Sequence, residues 1–222
     1  MSVSVDASHI RSTGAGRRLA LPLIGTCLLV GACIAGNPVP ATGAEPTSAQ
    51  PDSRFLRFDS VRSTASFEVK VLLMFSVEGQ FGSVSGGVQV EGDQAQVEAA
   101  IDANAVTMKR EPNEKWVKSA EFFDVDHHPQ IFFDSNPFPL ARLGGGGPLP
   151  GTLRMRGVSR PVEFNLKPSQ CAQPAIDCAV VAKGIVRRSE FGMNTRRGAL
   201  SDKVELNFSV RVIASAAGPT ES

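Results

Sequence analysis

The sequence predicts an all-β fold, an antiparallel barrel or sandwich of about eight strands with one short capping helix. The strongest observation is the alternation of apolar and polar residues at 204–212, because successive side chains of a strand point to opposite faces. The same alternation recurs along the chain, for example at 67–71 and 162–167. Most joins between such segments are short, which indicates antiparallel neighbours because a parallel crossover needs about a dozen residues or more. The apolar faces must close against one another, so the content of the enclosed space becomes the functional question.

The first 36 residues are typical of a bacterial export signal. Arg17 and Arg18 precede the apolar run 19–33, and small residues follow it. This run is shorter than the about 20 apolar residues that span a bilayer, and it contains Pro22, so a membrane-spanning helix is the weaker interpretation. The paired arginines leave the general and the twin-arginine export routes both open.

Two cleavage outcomes remain open for this signal. The segment 30–33, Val-Gly-Ala-Cys, resembles a lipoprotein box, in which Cys33 would be acylated and would anchor the chain to a membrane. Cleavage after Ala32 or within 41–44 would instead release a soluble protein. Both outcomes predict a periplasmic protein, which is either soluble or attached to a membrane by its lipid.

Composition divides the rest of the chain into three parts. Residues 37–53 contain little that can be buried and predict a disordered linker, because such a segment cannot offset its chain entropy. Residues 54–213 hold the alternating segments and predict one β domain, and residues 214–222 predict a flexible tail. The formal net charge of +1, without a concentrated basic patch, argues against nucleic acid as a partner.

Segments of period two define the candidate strands of the β domain. Glycine-containing joins such as Gly92-Asp93 and 157–161 separate several of them. The candidate strands lie at 54–62, 65–76, 79–91, 95–104, 130–136, 151–157, 160–168, 176–188 and 202–213.

One segment, from Val106 to His128, interrupts the strand pattern. Residues 111–119 suit a short helix with Pro112 near its first turn, where the missing N–H of proline is tolerated. The residues 122–125, Phe-Phe-Asp-Val, follow as an apolar docking turn. A lone helix beside an antiparallel barrel is expected to cap the open end of the barrel.

Four consecutive glycines at 144–147 precede Pro148-Leu149-Pro150. The order G-x-x-x-x-G-K-[ST] and a following helix are both missing, so the run does not predict a phosphate-binding loop. We expect a flexible hairpin insertion between two strands.

Two cysteines, Cys171 and Cys178, fall in the β domain of a chain with an export signal. In an oxidising compartment, this pair predicts a disulfide that closes the loop between two strands. A catalytic thiol pair or half of a metal site is the rival interpretation, but the C-x-x-C spacing and a nearby histidine are missing.

No constellation of residues in the β domain supports catalysis. His127 and His128 are adjacent, so in an extended segment their side chains point opposite ways, and Asp124 and Asp126 leave only a weak metal site open. No G-x-S-x-G element is present for a serine nucleophile. We expect a protein that is not an enzyme and that holds no metal or cofactor, with a metal-assisted enzyme using His127 or His128 as an alternative.

The predicted apolar faces are rich in phenylalanine, and the chain has no tyrosine. An eight-stranded barrel encloses a space that side chains fill or share with one small ligand. Periodicity leaves both outcomes open, a packed core and the wall of a lipid pocket. Arg187 and Arg188 precede the last strand, where guanidinium groups either bind a phosphate head group or fix the turn by pairing with Glu190 or Asp202.

Six short motifs occur in order along the β domain. They are Phe67–Phe75 with Val77–Phe81 and Gly86, Phe122–Val125, Pro129–Ser135, Gly151–Val162, Gly184 with Arg188–Met193, and Ser201–Val204. Together they resemble the YceI-like family, the polyisoprenoid-binding, lipocalin-like proteins of the bacterial periplasm. The likeness spans about residues 54–213 and departs from the family pattern at 114–118, where Trp116 is expected to narrow one end of the interior.

The resemblance implies a lipocalin-like barrel whose tunnel binds, stores or transports a long polyisoprenoid or a quinone-like lipid without catalysis. The expected head-group or gate residues are Trp116, Arg187 and Arg188. A structural or protein-interaction barrel with a filled core, involved in stress response, is the alternative, and the oligomeric state, including a homodimer, is left open. The expected tunnel wall comprises Phe67, Val69, Val71, Phe81, Phe132, Leu153, Phe164, Phe191 and Phe208.

Overall fold

The computed structural model describes residues 53–213, which form one antiparallel sheet with short helical segments. The strands are β1 (Ser53–Arg57), β2 (Thr64–Val71), β3 (Phe75–Phe81), β4 (Val84–Glu91), β5 (Gln94–Asp102), β6 (Thr107–Met108), β7 (Gln130–Ser135), β8 (Phe138–Pro139), β9 (Gly147–Met155), β10 (Val158–Leu166), β11 (Val180–Arg187) and β12 (Leu200–Val210). The helices are α1 (Glu111–Lys118) and α2 (Arg142–Gly145), and Arg188–Phe191 forms a 3-10 turn.

The sheet curls back on itself. Its strands are hydrogen-bonded in the order β1-β4-β5-β7-β9-β10-β11-β12-β2-β3-β6, and β8 pairs with β5. Beyond β1, Phe58 forms an antiparallel bridge with Val212, and the Asp59 amide donates to the Arg211 carbonyl at 2.8 Å. One end of this path therefore meets the chain just beyond β12. The predicted antiparallel all-β fold is confirmed, and its apolar faces enclose a common interior.

Alternation places the inner face of the sheet. In β2 the buried residues are Ala65, Phe67 and Val69, and their polar neighbours point outward. The long final strand β12 pairs with β2 so that Leu206 lies opposite Phe67. Since inward residues of both strands meet at the same level, the pairing stacks apolar side chains across the ladder.

Glycines make room for large inward side chains. Gly79 lies opposite Phe67 in the register of β2 and β3, and a Cβ atom there would collide with the Phe67 ring. Gly184 has the same relation to the ring of Phe164. In both places a phenylalanine covers a neighbouring glycine, which pins register in twisted sheets.

The structure divides two of the predicted strands. The segment 65–76 breaks at a tight turn over 72–74, where the chain reverses although the three residues are apolar. The segment 79–91 breaks at Gly82-Ser83, between β3 and β4. The helix predicted at 111–119 is confirmed as α1.

The expectation of a flexible insertion at the four glycines is wrong. Gly144 and Gly145 belong to α2, and β9 begins at Gly147. Gly146 and Gly147 have φ values of 76° and 118°, a region open mainly to glycine. These glycines therefore end the helical turn and direct the chain into β9, where Pro148 lies opposite Asn165.

The predicted disulfide between Cys171 and Cys178 is confirmed, with the two Cα atoms 6.2 Å apart. It closes a loop that lies against the end of the sheet, because the Ala175 carbonyl accepts a hydrogen bond from the Val212 amide at 2.8 Å. Ala175 itself is buried. The loop 171–178, which we call the disulfide loop, is thus covalently closed and covers one end of the interior.

Several predicted features lie outside the described residues. These are the export signal at 1–36 with Cys33, the linker apart from Ser53, which begins β1, and the tail at 214–222. Within residues 53–213, no helix combines the length and apolar character needed to cross a membrane.

Candidate ligand-binding cavity

A cavity of about 310 Å³ lies between the sheet and α1. Its volume falls at the lower end of the range of small-molecule sites, roughly 300–1,000 Å³. Among residues 53–213, only Asn113 and Arg188 contribute polar side chains to its lining, apart from the indole of Trp116. We call it the large cavity. It is lined by Phe67, Val69, Val71, Val77, Phe81, Ile101, Met108, Asn113, Trp116, Val117, Phe122, Phe123, Ile131, Leu153, Met155, Val186, Arg188, Met193, Leu200, Val204, Leu206 and Phe208.

Three neighbouring strands supply one wall of the large cavity. In β2 and β12 the register pairs Val71 with Leu200 and Val69 with Val204, and all four side chains line the cavity. On the other side of β2, Val77 of β3 lies opposite Val69. The wall therefore follows directly from period-two alternation in three strands that are hydrogen-bonded side by side.

An aromatic cluster fixes the turn that follows α1 to this wall. The ring centroids of Phe67, Phe81 and Phe123 lie 5.5–5.7 Å from one another, in tilted or edge-on arrangements. Such spacing is favourable for aromatic pairs. The predicted docking turn at 122–125 is confirmed as a buried turn, since Phe122, Phe123 and Val125 are all buried.

The cap α1 is held more lightly than the turn that follows it. Val117 is the only buried residue of this helix. Trp116 lines the cavity, packs edge-on against Phe122 at 4.5 Å, and donates its indole N–H to Glu121 at 2.8 Å. The guanidinium of Arg196 lies 4.8 Å from the centre of the indole ring. The expected gate residue Trp116 thus lies at the boundary between cap and cavity.

Arg188 is a buried cation that borders the cavity. It donates from Nε to the Ser201 carbonyl at 2.9 Å, from Nη1 to Met193 at 2.6 Å and from Nη2 to Leu200 at 3.2 Å. Burial lowers the pKa of this guanidinium, and the nearby charge of Asp202 partly offsets that effect. The three bonds occupy three of the five N–H groups of arginine. Arg188 therefore fixes the turn before β12 and also presents positive charge to the cavity.

Asp202 completes the turn from the opposite side. Its carboxylate accepts hydrogen bonds from the Ser189 amide at 3.0 Å and the Ser189 hydroxyl at 2.9 Å. Partial burial by itself raises the pKa of Asp202, but these bonds and the charges of Arg188 and Arg187 outweigh it, so the pKa lies below its ordinary value. Arg187 lies 3.7 Å from this carboxylate, so pairing with Asp202 fixes the turn.

A second cavity of about 70 Å³, the small cavity, lies beyond the first along β12. The rings of Phe133, Phe164 and Phe208 occupy this region in two edge-on contacts, with centroids 5.0 and 5.2 Å apart. Phe208 and Ile101 line both cavities. The small cavity is also lined by Phe58, Val84, Val88, Val97, Ala99, Phe133, Phe138, Leu143, Leu149, Phe164, Leu166, Ala175, Val180, Ala182, Val210 and Val212.

Most of the predicted wall residues come together at the large cavity. The expected residues Phe164, Phe191 and Arg187 do not line it: Phe164 lines the small cavity, Phe191 is buried in the 3-10 turn, and Arg187 points outward next to Val186. The residues that do line it are Phe67, Val69, Val71, Phe81, Leu153 and Phe208, together with Trp116 and Arg188.

The placement of Phe132 in the wall is wrong. The inward residues of β7 are Ile131 and Phe133, and the Phe132 ring lies under the guanidinium of Arg154 at 4.4 Å. Residues 131–133 are all apolar, so the sequence does not show which of them face inward. The pairing of Phe133 with Leu153 places Phe133 on the inner face and Phe132 on the outer face. That pairing is not visible in the local sequence.

Several lining residues were missed by sequence reasoning. Val204 and Leu206 share the face of Phe208 by alternation and were accessible to the same argument. Asn113 and Met193 lie in a helix and a turn, where no strand parity applies. Their contribution depends on how α1 and the turn dock.

The two histidines of the β domain lie away from this site. The His127 imidazole is 2.9 Å from the Asp124 carboxylate, and this hydrogen bond raises the pKa of His127 and lowers that of Asp124. Within residues 53–213, no group of three or more His, Cys, Asp or Glu side chains is placed to hold one metal ion.

Comparisons with known proteins agree with this architecture. The model of the YceI-like domain family matches residues 56–212. A UPF0312 protein of Staphylococcus aureus strain N315 is 24% identical over 168 residues, which cover 72% of this chain and 94% of the relative. The crystal structure of BcnA from Burkholderia cenocepacia superposes with a TM-score of 0.58 at 21% identity, covering 69% of this chain and 98% of that chain. A polyisoprenoid binding domain from Saccharophagus degradans, implicated in plant cell wall breakdown, gives a TM-score of 0.52 at 15% identity, covering 69% and 95%.

Proposed function

This chain belongs to the YceI-like domain family, and we propose that it binds a polyisoprenoid or quinone-like lipid in the large cavity without catalysis. In this proposal the protein stores or carries that lipid in the bacterial cell envelope. The bound lipid is the only non-protein component that the proposal requires.

The observation that carries the proposal is the apolar lining of the large cavity. Twenty of its 22 lining residues are apolar or aromatic, and the cavity volume is about 310 Å³. Moving an apolar chain from water into such a space gains roughly 25 cal/mol for each Å² removed from water. A prenyl chain has no polar groups that would need partners, so this lining receives it without an unsatisfied hydrogen bond.

The class of lipid is supported by a structural neighbour. The domain from Saccharophagus degradans is described as polyisoprenoid binding, and it shares the fold of this chain. A quinone-like lipid has the same kind of apolar chain with a small polar ring, so it fits the same cavity chemistry. The modest volume favours a short chain or one segment of a longer chain.

The polar end of the lipid is proposed to lie near Arg188. Its guanidinium borders the cavity, and three hydrogen bonds to carbonyls leave two N–H groups for an acceptor on the ligand. Trp116 on α1 is proposed as the gate, because it lines the cavity from the lightly held cap. Arg187 has no part in this proposal, since it faces Asp202 outside the cavity.

The envelope location is proposed from two features. The disulfide between Cys171 and Cys178 fits an oxidising compartment. The sequence at 1–36 has the composition of an export signal, with Cys33 as the proposed site of acylation. Intact-mass measurement of protein from native membranes tests the acylation.

Extraction of the purified protein with organic solvent, followed by mass analysis, tests the function. We expect a prenyl lipid in the extract, and a rise in the melting temperature when a fluorescent prenyl probe is added, because a ligand that binds only the folded state stabilises it. A folded protein that retains no lipid and takes up no probe would overturn the proposal.

A matched pair of variants locates the binding in the large cavity. Leu206→Trp adds volume within the cavity lining and is expected to weaken probe binding by about tenfold or more, equivalent to about 1.4 kcal/mol. Lys167→Asp changes an exposed side chain and is expected to leave binding unchanged. Equal binding by both variants would place the lipid elsewhere.

A further inference from the structure

The turn between β2 and β3 exposes four large apolar side chains in succession. The exposed fractions are 60% for Leu72, 83% for Leu73, 79% for Met74 and 61% for Phe75. Single exposed apolar residues are common on protein surfaces, but a contiguous cluster marks a site of interaction. We call these four residues the hairpin tip.

The geometry of the turn does not explain its sequence. The Met74 amide donates to the Val71 carbonyl at 3.2 Å, and the two central residues, Leu72 and Leu73, have φ values of 49° and 59°. Turns with two left-handed central residues favour Asn-Gly, because a bulky side chain is strained there. Leucine at both positions is therefore unfavourable for the turn itself, and its side chains are available for an external contact.

Cationic residues surround the hairpin tip. The Leu72 amide donates to the Ala199 carbonyl at 2.7 Å, which joins the tip to the turn that carries Arg196 and Arg197. Lys70, Arg196 and Arg197 are all exposed. The segments 69–77 and 191–201 contain no Asp or Glu.

The acidic residues of α1 and of the turn after it are already engaged. Glu111 and Glu114 each lie 2.9 Å from a lysine one turn later in α1. Glu121 accepts the indole N–H of Trp116. In β2 and β3 the next acidic residues are Glu68 and Glu78, which lie opposite each other further from the tip. Within three positions of the hairpin tip, Glu78 and Lys70 offset one another, so Arg196 and Arg197 of the neighbouring turn leave the charge next to the tip positive.

The hairpin tip also adjoins the large cavity. Val71, immediately before the tip, pairs with Leu200, immediately after Ala199, and both side chains line the cavity. A surface that receives the tip would consequently lie beside this end of the cavity.

We propose that the hairpin tip docks on an anionic lipid bilayer. Apolar side chains enter the boundary between head groups and acyl chains, while Lys70, Arg196 and Arg197 face the anionic head groups. Docking brings the large cavity next to the membrane, where the lipid is exchanged. The exchange rests on the proposed function, whereas the docking itself does not.

Binding to vesicles tests the docking. The full chain carries Cys33→Ser, so that no acyl group contributes to binding. It is mixed with vesicles of phosphatidylcholine that contain about one-quarter phosphatidylglycerol, which gives the vesicle surface a negative potential. We expect binding that weakens with added salt, because screening reduces the attraction. In the same background, Leu72→Asn with Leu73→Gly is expected to weaken binding by about tenfold or more, since burial of both leucines is lost.

This double variant also guards against a folding defect. Asn-Gly suits the observed turn, so the melting temperature is expected to stay constant or rise while vesicle binding falls. Val61→Asp is the matched control, because Val61 is 89% exposed in the turn before β2, at the opposite end of that strand. It is expected to bind vesicles like the parent chain.

A site-specific probe separates the tip from any effect of the N-terminal segment. Cys27→Ser is added to the background, and an environment-sensitive dye is attached through Met74→Cys. The emission of this dye is expected to shift to shorter wavelength when anionic vesicles are added. The emission of the same dye attached through Val61→Cys is expected to stay unchanged. Equal responses at the two sites, or no vesicle binding by the parent chain, would overturn the docking. The docking would also be overturned if the parent chain self-associates but binds no vesicles, and the double variant no longer self-associates. That result would assign the hairpin tip to a contact between two copies of this chain.

The two proposals fail in different ways. A chain that takes up the prenyl probe from detergent micelles but binds no anionic vesicles would overturn the docking alone. A chain that binds vesicles through the hairpin tip but takes up no probe would leave the docking intact and overturn the lipid-binding function.

Discussion

The two ends of the interior are built from the same kinds of side chain but are filled to different degrees. Along β12 the lining passes from the large cavity to the small cavity at Phe208. On one side of this ring lies a space of about 310 Å³, and on the other side only about 70 Å³ remains. Phe133 and Phe164 account for the difference, because their rings pack edge-on in series with Phe208.

The segments that cover the two ends also differ in how firmly they are held: the cover of the filled end is held more firmly than the cover of the hollow end. The filled end is closed by the disulfide loop, and the Ala175 carbonyl of this loop accepts a hydrogen bond from the amide of Val212, two residues beyond β12. The hollow end is closed by α1, which buries only Val117 and has no side-chain cap at its N-terminus. A segment with few buried contacts opens at a lower free energy than a cross-linked one. If the large cavity takes up the proposed lipid, we infer that this lipid enters beneath α1, while the filled end supplies rigidity.

The largest expected effect that tests this comparison comes from the filled end. Phe164→Ala removes a fully buried ring from the edge-on stack and is expected to cost about 3–5 kcal/mol of unfolding free energy. Leu206→Ala, at the large cavity, is expected to cost about 2 kcal/mol, since one side of this residue already faces empty space. Urea denaturation of both variants measures the two values. Equal losses would mean that the two ends are packed alike.

The second test compares the covers. Replacing Cys171 and Cys178 together by serine is expected to lower the unfolding free energy by about 2 kcal/mol, the value for a short closed loop. The rate of prenyl-probe uptake is expected to remain unchanged, because neither cysteine lines the large cavity. Denaturation and stopped-flow uptake give the two readouts. Faster uptake by the double variant would place the opening at the disulfide loop and contradict the inference.

The alternation that predicts the strands also predicts much of the hollow end. Phe67, Val69 and Val71 alternate without interruption in β2, so their common face was visible in the sequence. The prediction for Phe132 is wrong because three apolar residues in a row do not show which side chain faces inward. That is decided by the pairing with β9, a strand distant in sequence.

The difference in filling between the hollow end and the filled end could not be predicted from the local sequence pattern. Phe133, Phe164 and Phe208 belong to three different strands, and whether their rings meet depends on register and curl. Phe164 and Phe67 look alike in sequence, since each is an inward phenylalanine that covers a glycine of the next strand. Only the three-dimensional packing separates a wall residue from a core residue.

The smallest expected effect is a difference in acid sensitivity between the ends. At the hollow end, burial raises the pKa of Asp202, but the hydrogen bonds from Ser189 and the charges of Arg188 and Arg187 outweigh burial and lower it. Near the filled end, the hydrogen bond from Arg62 lowers the pKa of Asp59, helped by the amides of Arg62 and Val61. A folded-state pKa below the unfolded value of about 3.9 gives stability that is present above that pH and is lost as the pH falls through the folded pKa.

Asp202→Asn and Asp59→Asn are therefore both expected to flatten the acid limb of the stability curve below about pH 4. Their effects on ligand binding are expected to differ, because Asp202 supports the turn that holds Arg188 at the large cavity, whereas Asp59 contacts only its own turn by side-chain bonds. Prenyl-probe affinity at neutral pH should fall for Asp202→Asn and stay constant for Asp59→Asn. If Asp59→Asn lowers the affinity as much as Asp202→Asn does, the two ends are coupled through the sheet, and the division at Phe208 does not separate a binding end from a structural one.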